Sequence, residues 1–292
     1  MADCGGRACR PAGGLAGGRV SVAFGLDFAG YSSGKTGLAC AEQVEPDRID
    51  ITVLTGHIFT HKRKGRTVLA SVVEQERNLL RQCAWQGPVM IDLPLDLEAL
   101  PRPVDTTFAW ELTQRPVDYA LNAMPPLANL IGAPVARLLH LLRDLPDTWI
   151  GSRLFETYPA CSLDLLGLRG RGYKSGTGVQ MAWQAGAWHG TDRAAVMADN
   201  ANRLGWLADD GLTLNDDEFD AALCALTGIA AIDCQLRGER LDAEITRRIC
   251  ARIPPAYHQN YHAPPSFMLL EKLPAARVYL QKRPVSQFFS PH

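Results

Sequence analysis

The 292 residues carry a formal net charge of −1, with 47% hydrophobic and 21% charged residues. That is ordinary for a globular protein, and long enough for one large α/β domain or two small ones. The charge balance excludes a global pull toward nucleic acid or an anionic membrane, so a polyanion would need local basic patches. No apolar run approaches the ~20 residues that span a bilayer, so a membrane partner is not expected.

Residues 1–18, rich in Gly, Ala and Arg without a secretion-type apolar run, read as a disordered extension or an over-long start. A single domain is expected over residues 19–292. Three strands are predicted at 20–28, about 36–44 and about 49–60, the last two joined by a hairpin through Val44-Glu45-Pro46-Asp47-Arg48. Periodic Val68, Val72, Val73, Leu79 and Leu80 predict an amphipathic helix from Thr67 to Trp85, broken by Gly87-Pro88 before a buried strand at 88–93. A helical insertion is expected near 95–150, with helices around 105–123 and 133–144. A strand at 152–157, a helix near 160–167 and a glycine-rich basic loop from Arg169 follow. Helical patterns are read over about 178–207 and 215–235, and apolar runs at 267–271 and 277–281 suggest a closing hairpin. This order points to a mixed sheet with helices on its faces.

Acidic residues close one apolar run after another: Asp27 after Phe24-Gly25-Leu26, Asp92 after Val89-Met90-Ile91, Glu156 after Leu154-Phe155. Groups at the carboxyl ends of neighbouring strands of an open sheet converge on one crevice. Carboxylates gathered there repel one another unless a cation or proton neutralises them, which suggests a metal site. Asp217 and Asp220, three residues apart, share one face of the helix predicted from 215. Each acid also has a plainer explanation. Asp27 and Asp92 suit turns, Glu156 suits a helix start ahead of Pro159, and Asp216-Asp217-Glu218 suits a first helical turn capped by Asn215 or Asp216.

Ala29-Gly30-Tyr31-Ser32-Ser33-Gly34-Lys35-Thr36 satisfies a loose phosphate-loop pattern, but Pro46 and a β-rich run leave little room for the helix that such a loop must enter. Lys35, Arg115, Arg171 and Lys174 are candidate contacts to substrate phosphates, and Arg115 suits an exposed helix start equally well. The segments His61–Arg66 and 169–174 are the basic patches, or simply solvated loops. His258 and His262 are read as loop residues, and Trp183, Trp188 and Trp206 as core. The eight cysteines show no close CxxC pair and read as reduced thiols of a cytosolic protein.

Gly25-Leu26-Asp27, Ile91-Asp92-Leu93-Pro94, Arg115-x-x-Asp118, Glu156-Thr157-Tyr158-Pro159 and Asp217-x-x-Asp220-Ala221, in that order, resemble domain-of-unknown-function family 429. Its members are predicted nucleases of the ribonuclease-H-like fold. The resemblance covers roughly residues 20–285. It implies a five-stranded mixed sheet whose first three strands run antiparallel, with helices on both faces and a last helix that delivers acids to the metals. Asp27, Asp92, Asp217 and Asp220 would be ligands and Glu156 an accessory catalytic acid. The expected function is hydrolysis of phosphodiester bonds in DNA or RNA, with Mg²⁺ or Mn²⁺ in a two-metal-ion mechanism. The rivals are a nucleotide-dependent phosphotransferase or ATPase of the actin-like relatives, and a non-catalytic binding module. The oligomeric state is left open.

Overall fold

The computed structural model describes residues 21–28, 36–56, 62–63, 66–67, 69–95, 115–121, 123–124, 126, 131–174, 179–236, 251 and 267–289. The expected N-terminal extension, Lys35, His258 and His262 lie outside them, as does most of the helix expected near 105–123.

Alternating apolar residues build the first three strands: β1 (Ser21–Asp27), β2 (Gly37–Glu45) and β3 (Arg48–Thr55). They form an antiparallel meander, with Pro46-Asp47 turning β2 into β3. The two-residue pieces β4 (Lys62–Arg63) and β5 (Arg66–Thr67) pair with each other. Helix α1 (Leu69–Gln86) then leads to β6 (Val89–Ile91), which runs parallel to β1. Within the expected helical insertion, the described residues form α2 (Pro116–Leu121) and α3 (Gly132–Leu142). Strand β7 (Leu154–Glu156) runs parallel to β6, and α4 (Pro159–Leu165) begins with proline at its first position.

Residues 178–207, expected to be helical, instead hold β8 (Gln180–Gln184), β9 (Ala187–His189), α5 (Arg193–Arg203) and the start of β10 (Trp206–Ala208). Met181 and Trp183 alternate with exposed Gln180 and Gln184, which is a strand period. Ala185 and Gly186 turn the hairpin with φ of 51° and 84°, the two left-handed residues that a tight hairpin turn requires. β11 (Thr213–Asn215) pairs with β8 and runs straight into α6 (Asp216–Leu236).

The chain's last strand, β12 (Arg277–Pro284), corrects the expected closing hairpin. It runs parallel to both β3 and β10, while Phe267 makes only an isolated bridge to Glu156. The short α7 (Val285–Phe288) follows. The main sheet therefore has seven strands among the described residues, in the order β10-β12-β3-β2-β1-β6-β7, rather than five. Only β2 runs against the other six. The fold is mixed α/β with helices on both faces. No helix among the described residues is long and apolar enough to cross a membrane.

The pleat sends side chains to two cores. Phe24, Leu26, Leu38, Cys40, Val89 and Ile91 meet α1 and α3 on one face. Ala23, Ala39, Ala41, Ile49, Ile51 and Val53 meet α6 on the other, where Trp183, Trp188 and Trp206 are also buried as core. A strand, β2, starts at Gly37 directly after the phosphate-loop-like segment, so the required helix is absent there.

Helix α6 lies unusually close to β1 and β2. A Cβ on Gly25 would stand 2.0 Å from the Ala221 carbonyl oxygen and 2.3 Å from the Ala225 nitrogen. One on Gly37 would stand 2.0 Å from the Asp217 carbonyl oxygen. Ala221, Ala222, Ala225 and Gly228 keep the helix face small enough for that approach. Gly25→Ala must therefore push backbone from backbone and is expected to lower the unfolding free energy by about 3 kcal/mol or more. Gly132→Ala, where an added Cβ meets nothing within 4 Å, should stay within about 0.5 kcal/mol. Urea denaturation of the two variants checks the contrast.

Candidate metal site

Asp27 is the last residue of β1 and Asp92 follows β6 directly. The Asp92 amide donates to the Leu26 carbonyl at 2.9 Å, so the parallel pairing continues to the sheet edge and the two carboxylates emerge side by side. The third acid arrives on α6. The start of that helix is fixed by a reciprocal capping box: the Glu218 amide donates to Asn215 Oδ1 at 2.9 Å, and the Asn215 amide to Glu218 Oε2 at 2.8 Å. Lys282 of β12 holds the same Glu218 carboxylate at 2.7 Å. With its first turn pinned and its backbone pressed on β1 and β2, α6 brings Asp220 over the edge where Asp27 and Asp92 emerge.

Asp27, Asp92 and Asp220 each offer a carboxylate oxygen within 4.8 Å of the others'. Asp220 is fully buried, and Asp27 and Asp92 are 13% and 11% exposed. Burial, together with the neighbouring Asp92 charge, lifts the Asp220 carboxyl to about 6, although Lys174 pulls it back down. Asp27 is raised well above the usual carboxylate range by burial and by Asp92, Asp220 and Asp217, again against Lys174. Asp217 thus presses electrostatically on the site from one turn earlier in α6, but does not join the 4.8 Å group.

Two residues of the basic loop complete the site. The buried Tyr173 hydroxyl donates to Asp220 Oδ1 at 2.7 Å, and its ring meets Phe219 edge-on. Lys174 places its ammonium 2.7 Å from Asp220 Oδ2, 3.0 Å from Asp92 Oδ2 and 4.0 Å from Asp27 Oδ2. Loss of water works against the Lys174 charge, but Asp220, Asp92 and Asp27 outweigh it and raise its pKa well above the usual value. The loop is anchored from behind. Asn200 of α5, fully buried, accepts from the Arg169 amide at 3.1 Å and donates to its carbonyl at 2.8 Å. Asp164 of α4 accepts from the Gly170 amide at 3.0 Å. The sequence flagged Lys174 as a phosphate contact, and missed Tyr173 and Asn200. Arg171 of the same loop is exposed.

Cys224, one turn beyond Asp220, is buried; that burial, and then the three aspartates, hold its thiol protonated.

Glu156 and Arg115 are brought to each other rather than to the aspartates. Arg115 is fully buried and cannot meet a substrate phosphate at the surface; the exposed helix start expected for it is also corrected. Its guanidinium donates to Asp118 Oδ1 at 2.7 Å, to Glu156 Oε2 at 3.0 Å, in a closer contact to Glu156 Oε1, and to the Tyr158 hydroxyl at 2.7 Å. Tyr158 donates in turn to Asp118 Oδ1 at 2.7 Å, and the Leu95 amide to Glu156 Oε2 at 3.0 Å. Both Glu156 oxygens are thereby engaged. The cluster ties α2, β7 and the segment after β6 into one unit.

A model of the family described as "Protein of unknown function (DUF429)" matches residues 33–242. The chain belongs to this family. No curated protein and no solved structure matches it. The family match includes Asp92, Glu156, Lys174, Asp217 and Asp220, and begins after Asp27.

A carboxyl with a raised folded pKa binds its proton more readily folded than unfolded. Asp220 therefore favours folding at low pH, and that contribution is lost as pH rises from the ordinary 3.8 through about 6. With chelator present, the stability of wild type relative to Asp220→Asn should fall by about 2 kcal/mol between pH 4 and pH 7.5. Urea unfolding at the two pH values measures it; a difference independent of pH would contradict the crowding. Glu156→Gln should lower stability by about 3 kcal/mol by leaving Arg115 under-paired. Calorimetric Mn²⁺ affinity should be unchanged in that variant, whereas a ligand role for Glu156 would weaken it.

Proposed function

We propose that the protein is a metal-dependent nuclease of the ribonuclease-H-like fold, hydrolysing phosphodiester bonds of DNA or RNA with Mg²⁺ or Mn²⁺. The observation that carries this reading is the meeting of Asp27, Asp92 and Asp220, drawn from two strand ends and a helix, within 4.8 Å of one another. An all-oxygen set of this kind suits a hard divalent cation. The fold reading draws support from the contiguous strands β3-β2-β1-β6-β7, with an antiparallel meander passing into parallel strands.

In this reading Asp27, Asp92 and Asp220 hold the ion, and Asp217 serves a second ion in a two-ion arrangement. A divalent ion there would supply an activated water and offset charge developing on the phosphate. Tyr173 fixes the Asp220 carboxylate through Oδ1 and leaves Oδ2 for the site. Arg171 and Lys174 would hold the nucleic-acid backbone without reading its sequence. Cys40, Cys83 and Cys224 are buried thiols outside any disulfide, which supports a cytoplasmic setting.

The test is cleavage of labelled DNA and RNA with Mn²⁺. Asp27→Asn and Asp92→Asn should each lose activity by about 100-fold or more. Cleavage by either variant at the wild-type rate would end this reading.

A further inference from the structure

The Lys174 ammonium and a divalent ion on Asp27, Asp92 and Asp220 would have the same three carboxylates as partners. Oxygens within 4.8 Å of one another leave room for a central ion at roughly 2.0–2.6 Å from each. Lys174 Nζ, 2.7 Å from Asp220 Oδ2 and 3.0 Å from Asp92 Oδ2, already sits against these carboxylates. An ion and the ammonium would be two like charges in contact, with no water between them to screen them. Occupancy by one excludes the other.

The remaining features describe a cation made to leave. Its partner Asp220 is fully buried, yet the Lys174 side chain is 48% exposed, so the stem faces solvent while the head points inward. Withdrawal breaks no core packing and returns a strongly hydrated group to water. The residue before it cannot follow. Tyr173 is fully buried against Phe219 and bonded to Asp220, and Arg169 and Gly170 are clamped by Asn200 and Asp164. The backbone leading to Lys174 is therefore held at Arg169 and Gly170 and by the Tyr173 side chain, while the Lys174 side chain itself is half exposed. A single positive charge only partly neutralises three carboxylates, so a divalent ion wins the contest when it is present.

We propose that Lys174 is a displaceable internal counter-ion: it occupies the aspartate site without metal and is released to the rim, to receive a phosphate group, when a divalent cation binds. This rests on the metal reading above and adds a coupling between metal loading and substrate capture.

The experiment is calorimetric titration of the full chain with Mn²⁺ at pH 7.5, with Lys174→Ala, Lys174→Gln and Lys282→Ala. Lys282 pairs with Glu218 on the same helix, so its loss changes the local charge equally without touching the triad. Removal of the competitor should tighten Mn²⁺ binding about tenfold in both Lys174 variants and leave Lys282→Ala close to wild type. Lys174→Gln keeps the stem and serves if the Ala variant does not fold. Wild-type binding with no gain in the Lys174 variants, or an equal gain in Lys282→Ala, would overturn the proposal and leave the metal reading standing. Absence of Mn²⁺ binding in wild type and Lys174 variants alike would end both.

Discussion

Everything at the sheet edge depends on how closely α6 lies on β1 and β2. The helix touches strand backbone directly at Gly25 and Gly37, and Gly228 comes down onto Ala23. A side chain added at Gly25 or Gly37 would push the helix away from the strands that carry the other acids. Ala221, Ala222, Cys224 and Ala225 are completely buried, so close packing of small groups lets α6 approach β1 and β2, while Phe219, Leu223 and Leu226 are buried on the same helix. Burial on that scale is what allows the helix to carry Asp220 into a place where its charge is unfavourable.

The two acidic clusters on neighbouring strands are handled in opposite ways. Around Arg115, the acids Asp118 and Glu156 surround a buried guanidinium whose donors, with Tyr158 and the Leu95 amide, occupy their oxygens. That cluster is satisfied internally, each carboxylate oxygen accepting at least one hydrogen bond from within it. Around Asp220, three carboxylates face the Lys174 ammonium, and burial followed by mutual repulsion raises the proton affinities of Asp27 and Asp220. Under-neutralised groups at a sheet edge are common where a protein binds or reacts, because the unfavourable charge is relieved by what arrives.

Much of this was legible in the chain. Apolar runs ending at Asp27 and Asp92 marked two strands, and parallel pairing brought their ends together. The helix from Asp216 was plain from its apolar stretch, and Asn215 proved to be its cap. The acids of its first two turns then divide between roles: Glu218 closes the capping box while Asp220 faces the strands. Glu156 looked equivalent to Asp92 because both end a strand. Nothing local reveals that Arg115, 41 residues earlier, waits beside it. The hairpin of β8 and β9 was misread as helix because its apolar content outweighed the alternation of Gln180–Gln184 and the turn at Ala185-Gly186. β12 was misread because two nearby apolar runs suggest local pairing, whereas Arg277–Pro284 satisfies its backbone against β3, more than 200 residues away. Tyr173 lay in a loop that looked merely basic and solvated, and only tertiary contact gives it a role.

The central claim is that three aspartates from distant parts of the chain form one site for a divalent cation. Anomalous diffraction from crystals soaked in Mn²⁺ tests it most directly. The account expects a manganese peak bonded to oxygens of Asp27, Asp92 and Asp220, with the Lys174 ammonium moved outward. A map with no peak there, and Lys174 still seated among the three carboxylates at saturating Mn²⁺, would contradict it.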